Sequence, residues 1–338
     1  MATVAIVILN YNGRHFLERF LPGVIQFSTG CQVVVADNGS TDSSVAFLHN
    51  HFPEVAVIRL GENRGFCKGY NLALQQVEAR YYILLNSDVE VTPGWVGPLI
   101  KLMEMNPRMG ACQPKIKSFD RRHCFEYAGA AGGWLDKWGY PFCRGRIFEV
   151  LEEDQGQYDD TAEVFWASGA CVCIRSSLYR SLGGLDDGFF AHMEEIDLCW
   201  RMKKRGYSVF YCGESEVYHV GGGTLPKSNS RKTFLNFRNG LALLYKNVPR
   251  HQLLQVLFVR LLLDGIAGVK FFLEGNPANA WAVVKAHFSF YANFGRWQLK
   301  RSQELASTEY ETLSGLYSGS IVYAHFIRGK KTFGQIKI

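Results

Sequence analysis

Four short apolar runs, each closed by a polar or glycine-bearing break and followed by helical spacing, constrain this chain more than any other feature. Val4 to Leu9 ends in Asn10-Tyr11-Asn12-Gly13 and leads into a helix from His15 to Phe27, carried by Phe16, Leu17, Phe20, Leu21 and Val24. Gln32 to Ala36 ends at Asp37, and Ser40 or Asp42 stands where a cap is needed for a helix bearing Val45, Phe47 and Leu48. Val55 to Leu60 precedes Gly61-Glu62-Asn63-Arg64-Gly65-Phe66 and a helix from about Lys68 to Val77. The fourth run, Tyr81 to Leu85, stops at Asn86-Ser87-Asp88. A β-α-β-α-β-α-β alternation at this pitch implies a parallel sheet with helices on both faces.

Ligands of such sheets collect at the carboxyl ends of the strands, where every run here turns polar. Asp37 is placed to accept the ring N–H of a uracil or thymine, Tyr11 to stack on a base, and Arg64 or Lys68 to neutralise phosphate. Asn10, Asn12, Asn63, Gly65, Asn71 and Asn86 complete the candidate nucleotide rim, although Asn63 and Asn71 also suit plain loop and helix-face roles. Asp88 suits a divalent cation bridging two phosphates, since Mg²⁺ or Mn²⁺ keeps much of its water and asks the protein for few oxygen ligands. The chain has no G-x-G-x-x-G and no G-x-x-x-x-G-K-[ST], which argues against a dinucleotide oxidoreductase and a P-loop phosphotransferase.

Hydrophobic residues make up 47% of the 338 positions, ample for one large α/β domain with an appendage. The start, MATVAIVILNYNG, has no basic leader and reads as a first strand, so a cytoplasmic protein is expected. Nine cysteines without C-x-x-C spacing read as reduced, mostly buried thiols. The net charge of +6 is unevenly placed: from Lys227 onward 16 Lys and Arg stand against 5 Asp and Glu, a net of +11, which leaves −5 for the rest. An anionic partner surface is expected for the basic tail. Within it, His251 to Leu273 is apolar but interrupted by Arg260, Asp264 and Lys270, too broken to span a bilayer. Trp281 to Trp297 and Ile321 to Phe333 mix apolar, aromatic and basic residues, as a helix lying in a membrane surface requires. The alternative is packing on the preceding α/β domain or on a second copy in a homodimer; no nucleic acid partner is expected.

The ordered segments VAIVILNYNG, VVVADNGSTDSS, ENRGFCKGYNLAL, YYILLNSDVEVTPGW and FWASGACVCIRSSLYRSLGGLDDGFFAHMEEIDLCWRMKKRGYSVFY, ending in VYHVGGGT, resemble the family 2 inverting glycosyltransferases of the GT-A fold. Within that family the chain is most similar to bacterial rhamnosyltransferase-like enzymes. The resemblance implies a Rossmann-like α/β fold, a mostly parallel mixed sheet flanked by helices. Residues 1–245 would be the catalytic domain, with 1–115 binding nucleotide and 116–245 carrying the acceptor side and the base, and 246–338 a helical, basic, membrane-associating extension. It also implies a nucleoside diphosphate sugar donor, a glycan or lipid-linked acceptor, and a peripheral place on the inner face of the cell membrane.

The family's metal motif is usually Asp-x-Asp; here Asn86 replaces the first carboxylate, leaving Asp88 as principal ligand. His219, before Val220-Gly221-Gly222-Gly223, matches a metal-coordinating histidine of related enzymes. Glu195 matches the position where the family usually carries an Asp general base, with Glu194 as competitor. On a helix Glu194, Asp197 and Arg201 share a face, and Asp197 to Arg201 is an i, i+4 pair. Trp166 to Ala170, including Gly169, resembles the family's donor and acceptor contact segment. A sugar-nucleotide nucleotidyltransferase shares the sheet and the metal carboxylate but needs a glycine-rich basic loop that Asn10-Tyr11-Asn12-Gly13 is not. A non-catalytic nucleotide-sugar binder on this fold is the other alternative.

Overall fold

The protein is described here from a computed structural model covering residues 2–221, 229–304 and 313–336. The alternation appears in order as β1 (Ala2–Asn10), α1 (Arg14–Phe27), β2 (Gln32–Asp37), α2 (Ser44–His51), β3 (Ala56–Arg59), α3 (Gly65–Leu74) and β4 (Ala79–Asn86). Next come β5 (Val89–Val91), α4 (Val96–Met105), β6 (Met109–Ser118), β7 (Gly133–Asp136), β8 (Pro141–Cys143), β9 (Arg146–Ile147), β10 (Val150–Leu151) and β11 (Thr161–Glu163). They are followed by β12 (Cys171–Arg175), α5 (Ser176–Ser181), α6 (Glu194–Lys204), β13 (Ser208–His219), α7 (Ser230–Asn247), α8 (Arg250–Leu273), α9 (Pro277–Ala292), α10 (Phe294–Gln303) and β14 (Leu316–Tyr317).

The main sheet runs β11-β13-β6-β12-β4-β1-β2-β3, with β5 joined to β13. Strands β4, β1, β2 and β3 are parallel, while β12 is antiparallel to both β4 and β6, so the sheet is mixed. Helices cover both faces, which is why Tyr81 to Leu85 is an unbroken buried run and not an alternating one. The period of two still sorts the side chains: Tyr82 and Leu84 enter the core on one face with Val7 and Tyr70, and Tyr81, Ile83 and Leu85 the core on the other with Ile6, Ile8 and Leu17.

Two boundaries differ from the sequence expectation for tertiary reasons. Helix α3 starts at Gly65 instead of near Lys68, because the Phe190 carbonyl, far along the chain, accepts the N–H of Phe66 and of Cys67 at 3.0 and 3.3 Å. Asp42 serves two helix starts at once, accepting the Arg14 N–H at 3.1 Å and the Ser44 N–H at 3.0 Å, whereas Ser40 turns its hydroxyl toward Asn10 and Asn12.

The extension expected after residue 246 is mostly helical but also supplies β14, which pairs with β7 in a second, five-stranded sheet. Helix α8 is docked through the charges that interrupt its apolar run. Asp264, fully buried, accepts from Arg260 Nε at 2.7 Å and from Tyr140 OH at 2.8 Å and faces His287 Nε2 at 3.2 Å, while Arg260 stacks on Tyr140 and donates to the Gly139 carbonyl. No helix among the described residues is long and apolar enough to cross a membrane. All nine cysteines are free, and eight are buried.

Candidate active site

Strand register builds the rim. Asn10 pairs with Asp37 across β1 and β2, and Leu9 with Asn86 across β1 and β4, so three predicted polar strand ends lie side by side. Asn10 and Asp37 are both buried, and each keeps one oxygen without a hydrogen-bond partner, Oδ1 in both cases. A buried acceptor left open is costly unless a ligand fills it, which makes this corner a candidate binding position. Tyr11, next to it, is 41% exposed, and Asn12, in the left-handed region at φ 52°, accepts the Thr41 N–H at 2.7 Å. Asn63 accepts the Gly65 N–H at 2.9 Å and receives Asn38 Nδ2, so the 63–65 loop is tied to the β2 end through Asn38. Arg64 pairs with Glu62 on the surface at 2.6 Å. Asn71 does not join the rim. Its amide is spent inside the protein, donating to the Leu185 carbonyl at 2.7 Å and accepting from Leu185 N–H and Tyr179 OH, so the nucleotide-binding expectation for it is replaced by a role in pinning the 179–185 turn.

The short strand β5 brings the candidate metal ligands together. Its antiparallel pairing sets Val89 opposite His219, and Val220 N–H donates to the Asp88 carbonyl at 3.0 Å, which leaves Asp88 Oδ1 3.2 Å from His219 Nε2. On the other ring nitrogen, Glu126 Oε2 stands 3.4 Å from Nδ1. Burial opposes a charge on this imidazole, but the Glu126 and Asp88 carboxylates outweigh it and push the histidine up to about 10. Two cis ligands of an octahedral cation at its usual bond lengths lie about 3 Å apart, so the Asp88 and His219 atoms have the spacing to share Mg²⁺ or Mn²⁺ once the ion displaces the proton from Nε2. Among the described residues no three His, Cys, Asp or Glu side chains are placed to hold one ion, which leaves further positions to water and phosphate. Gly222 and Gly223 of the predicted glycine-rich loop lie outside the described residues.

Sequence reasoning missed Glu126. It is 93 positions from His219 and carried by a loop, so no local spacing could have paired them.

The acidic helix α6 separates its three carboxylates by environment. Asp197, fully buried, is saturated by Arg201 Nε at 2.7 Å, Lys246 Nζ at 2.9 Å and Asn247 Nδ2 at 2.9 Å, and despite its burial these partners hold it well below the ordinary carboxylate range. Its place among the catalytic candidates is therefore corrected to a structural one, since it has no oxygen left for a substrate. Glu194 does not face Arg201 as expected; the guanidinium goes to Asp197 and to the carbonyls of Leu182 and Gly184. The Oε2 atoms of Glu194 and Glu195 are both buried and unpartnered. Burial and the neighbouring Glu195 charge push the Glu194 carboxyl well up, and burial pushes Glu195 up to about 7. Glu195 lies in an apolar crevice with Phe66, Leu198 and Cys199, and Gly169 sits between it and Phe66, where a β-carbon would be 3.9 Å from the Glu195 β-carbon. Trp166 is nearly fully buried, its indole N–H donating to the Trp134 carbonyl and its ring lying where any side chain at Gly133 would sit, so it forms the wall behind this segment and not an open sugar platform.

The turn that presents these acids is unusual. Phe190, His192 and Met193 all have positive φ, from 66° to 72°, each costing about 1 kcal/mol or more without glycine. Asn239 of α7, fully buried, offsets this: its Nδ2 lies 3.0, 2.8 and 2.7 Å from the carbonyls of Phe189, Ala191 and His192, and Arg238 donates to Gly188 and Phe189.

A mixed sheet with polar strand ends along one rim, a carboxylate–imidazole pair at β5 and β13 and an acidic helix α6 is the architecture of the GT-A glycosyltransferases. A sequence model of the Glycosyl transferase family 2 matches residues 5–176, more than half of the chain, and the protein belongs to that family. Over 229 residues it is 27% identical to the N-acetylglucosaminyl-diphospho-decaprenol L-rhamnosyltransferase of Mycobacterium tuberculosis, covering 63% of this chain and 75% of that one. The solved structure of GalNAc-T7 with UDP, GalNAc and Mn²⁺ is similar with a TM-score of 0.56 at 16% identity, over 73% of this chain and 48% of that one, so the chain spans about half of that protein. The mannosyltransferase PcManGT from Pyrobaculum calidifontis, in complex with GDP-Man and Mn²⁺, is similar with a TM-score of 0.53 at 14% identity, over 90% and 85% of the two chains. At these identities the likeness to both structures is one of fold.

Proposed function

We propose that this protein moves a sugar from a nucleoside diphosphate sugar to a hydroxyl of a glycan or lipid-linked glycan acceptor, with inversion at the anomeric carbon, in cell-surface polysaccharide synthesis. The observation that carries the reading is the buried, unpartnered Oε2 of Glu195 beside Gly169, an acceptor oxygen with nothing in the protein to bond. Glu195 takes the proton of the acceptor hydroxyl as that oxygen attacks, a contribution of about 10² to 10⁴ in rate. Glu194 beside it is buried, and its burial together with the Glu195 charge pushes its carboxyl well up. Asp37 accepts from the base, Tyr11 stacks on it, and Asn10, Asn12, Asn63, Gly65 and Asn86 shape the nucleotide's bed. Asp88 and His219 would hold Mg²⁺ or Mn²⁺, which when bound supplies Lewis-acid neutralisation of the leaving diphosphate.

The donor is a UDP- or dTDP-sugar, with dTDP-rhamnose favoured by the likeness to the mycobacterial rhamnosyltransferase. A lipid-linked acceptor would be met on the inner face of the cell membrane, with the enzyme cytoplasmic and peripheral. A thermal-shift screen of UDP-, GDP- and dTDP-sugars with Mn²⁺ tests the donor: a ligand at 100 times its Kd adds about 2.7 kcal/mol of stability. The partner assay is transfer from the stabilising donor; stabilisation by none of them overturns the reading, and pyrophosphate exchange would replace it with nucleotidyl transfer.

A further inference from the structure

Helix α8 is amphipathic in the reverse sense. Its buried face carries the charges, Arg260 and Asp264, together with Val256, and Leu253, Leu257 and Leu261 pack partly against the core. Its outer face carries Leu254, Phe258, Leu262, Ile266, Val269 and Leu273, all exposed, Leu254 at 83% and Phe258 at 63%. At 100° per residue these six fall within an arc of about 120°, and the helix is about 36 Å long, so the stripe is continuous from end to end. A face of this kind toward water is unfavourable unless something covers it.

Two neighbouring features repeat the pattern. Helix α9 packs beside α8, where a β-carbon at Gly268 would stand 3.9 Å from the Val283 side chain, and buries Ala282, Val283, Ala286 and Phe290 while exposing Trp281, Phe288 and Tyr291. The segment holding Tyr323, Phe326 and Ile327 is likewise exposed, and Lys270 near the end of α8 lies over the Phe326 ring at 5.9 Å, so this patch adjoins the α8 stripe.

Charge decides what covers these faces. Arg250 at the start of α8, Lys270 near its end, Lys285 on α9, and Arg328 and Lys331 after the last apolar patch are all exposed, and Glu274 is the one acid on the exposed surface between Arg250 and Gln303. An apolar stripe with aromatics and bases at its margins matches an anionic phospholipid interface, where headgroups meet the bases and acyl chains the Leu and Phe side chains. A second copy would bring the same positive margins against each other. We propose that α8, with α9 and the Tyr323–Ile327 patch, is a membrane-docking platform that lies in the plane of an anionic bilayer, apolar face down, with its charged face locked onto the catalytic domain through Arg260, Asp264 and Tyr140. This inference stands on the exposed stripe and its charge, independently of the reaction.

Flotation of the full chain with phosphatidylglycerol-containing vesicles and with pure phosphatidylcholine vesicles tests it. The protein should float with the anionic vesicles, high salt should weaken but not abolish this, and the Phe258→Glu, Leu262→Glu double variant should lose at least tenfold in bound fraction. Both positions are exposed, so the thermal midpoint should be unchanged, and Met105→Glu, an exposed apolar site on α4, should bind as the parent does. A parent chain that stays in solution at low salt, a double variant that floats as well as the parent, or light scattering that shows a dimer split by the double substitution would each overturn the platform. None of these results bears on donor binding or transfer, which are measured without vesicles.

Discussion

Glu194 and Glu195 are adjacent in sequence and chemically identical, yet their environments set them apart: Glu194 is buried, and Glu195 is half-buried at the crevice beside Gly169. Glu195→Gln should keep donor affinity and lose about 10² to 10⁴ in kcat, whereas Glu194→Gln, which leaves the Glu195 carboxylate in place, should retain most of it. Near-parental turnover of Glu195→Gln, or the reverse order of the two, would remove Glu195 from the role of base. The pH profile gives an independent reading. With its carboxyl at about 7, Glu195 is deprotonated only above that value, so kcat/KM should fall about tenfold per unit below pH 7 and level off above it. The stability sign follows from the same shift. A carboxyl raised from 4.5 to about 7 by burial contributes stability that is complete below pH 4.5 and is lost as pH rises through 7, a dependence that Glu195→Gln should erase from a denaturation series.

At the scale of elements, the site depends on two that sequence patterning does not weigh. Strand β5 is three residues long, yet its register against β13 is what brings Asp88 to His219. With one carboxylate replaced by Asn86, each remaining ligand matters more: Asp88→Asn and His219→Ala should each raise the Mn²⁺ concentration for half-maximal activity, and chelation should abolish turnover of the parent. Activity that survives a chelator would mean that the Asp88–His219 pair is a structural ion pair only. Helix α7 is the second element. Asn239→Ala removes the side-chain donor from the Ala191 and His192 carbonyls of a left-handed turn and one of the two at the Phe189 carbonyl, and the acids that follow should lose their aim. Turnover should fall by an order of magnitude or more, with donor Kd changed less, because Asn10, Asp37 and Asn86 are held by β1, β2 and β4. Loss of donor binding in step with turnover would instead indicate general unfolding.

For the whole molecule, the question is how the C-terminal third is held to the sheet. The Arg260–Asp264–Tyr140–His287 network joins α8 and α9 to the β7–β8 hairpin, and β14 adds a strand beside β7. Removing one partner from a buried ion pair strands the other, so Asp264→Ala should cost about 3–5 kcal/mol in urea unfolding, far beyond a surface substitution. A cost under about 1 kcal/mol would show α8 to be docked by its leucines alone.

The order of strands and helices through β4 was legible because burial on both faces writes itself as apolar runs, and helices as 3.6-residue spacing, in contiguous sequence. The strand ends were legible for the same reason: Asn10, Asp37 and Asn86 follow directly from where each run stops. What the sequence left open depends on partners far apart in the chain. Whether Asp197 or Glu195 is free turns on Lys246 and Asn247; whether Asn71 faces a nucleotide turns on Leu185 and Tyr179; and the interruptions at Arg260 and Asp264, which rule out a bilayer span, face the protein because Tyr140 waits there. A residue's type fixes what it is able to bond, but only the tertiary structure decides which of those bonds are already made, and a site consists of the polar atoms that remain unpaired.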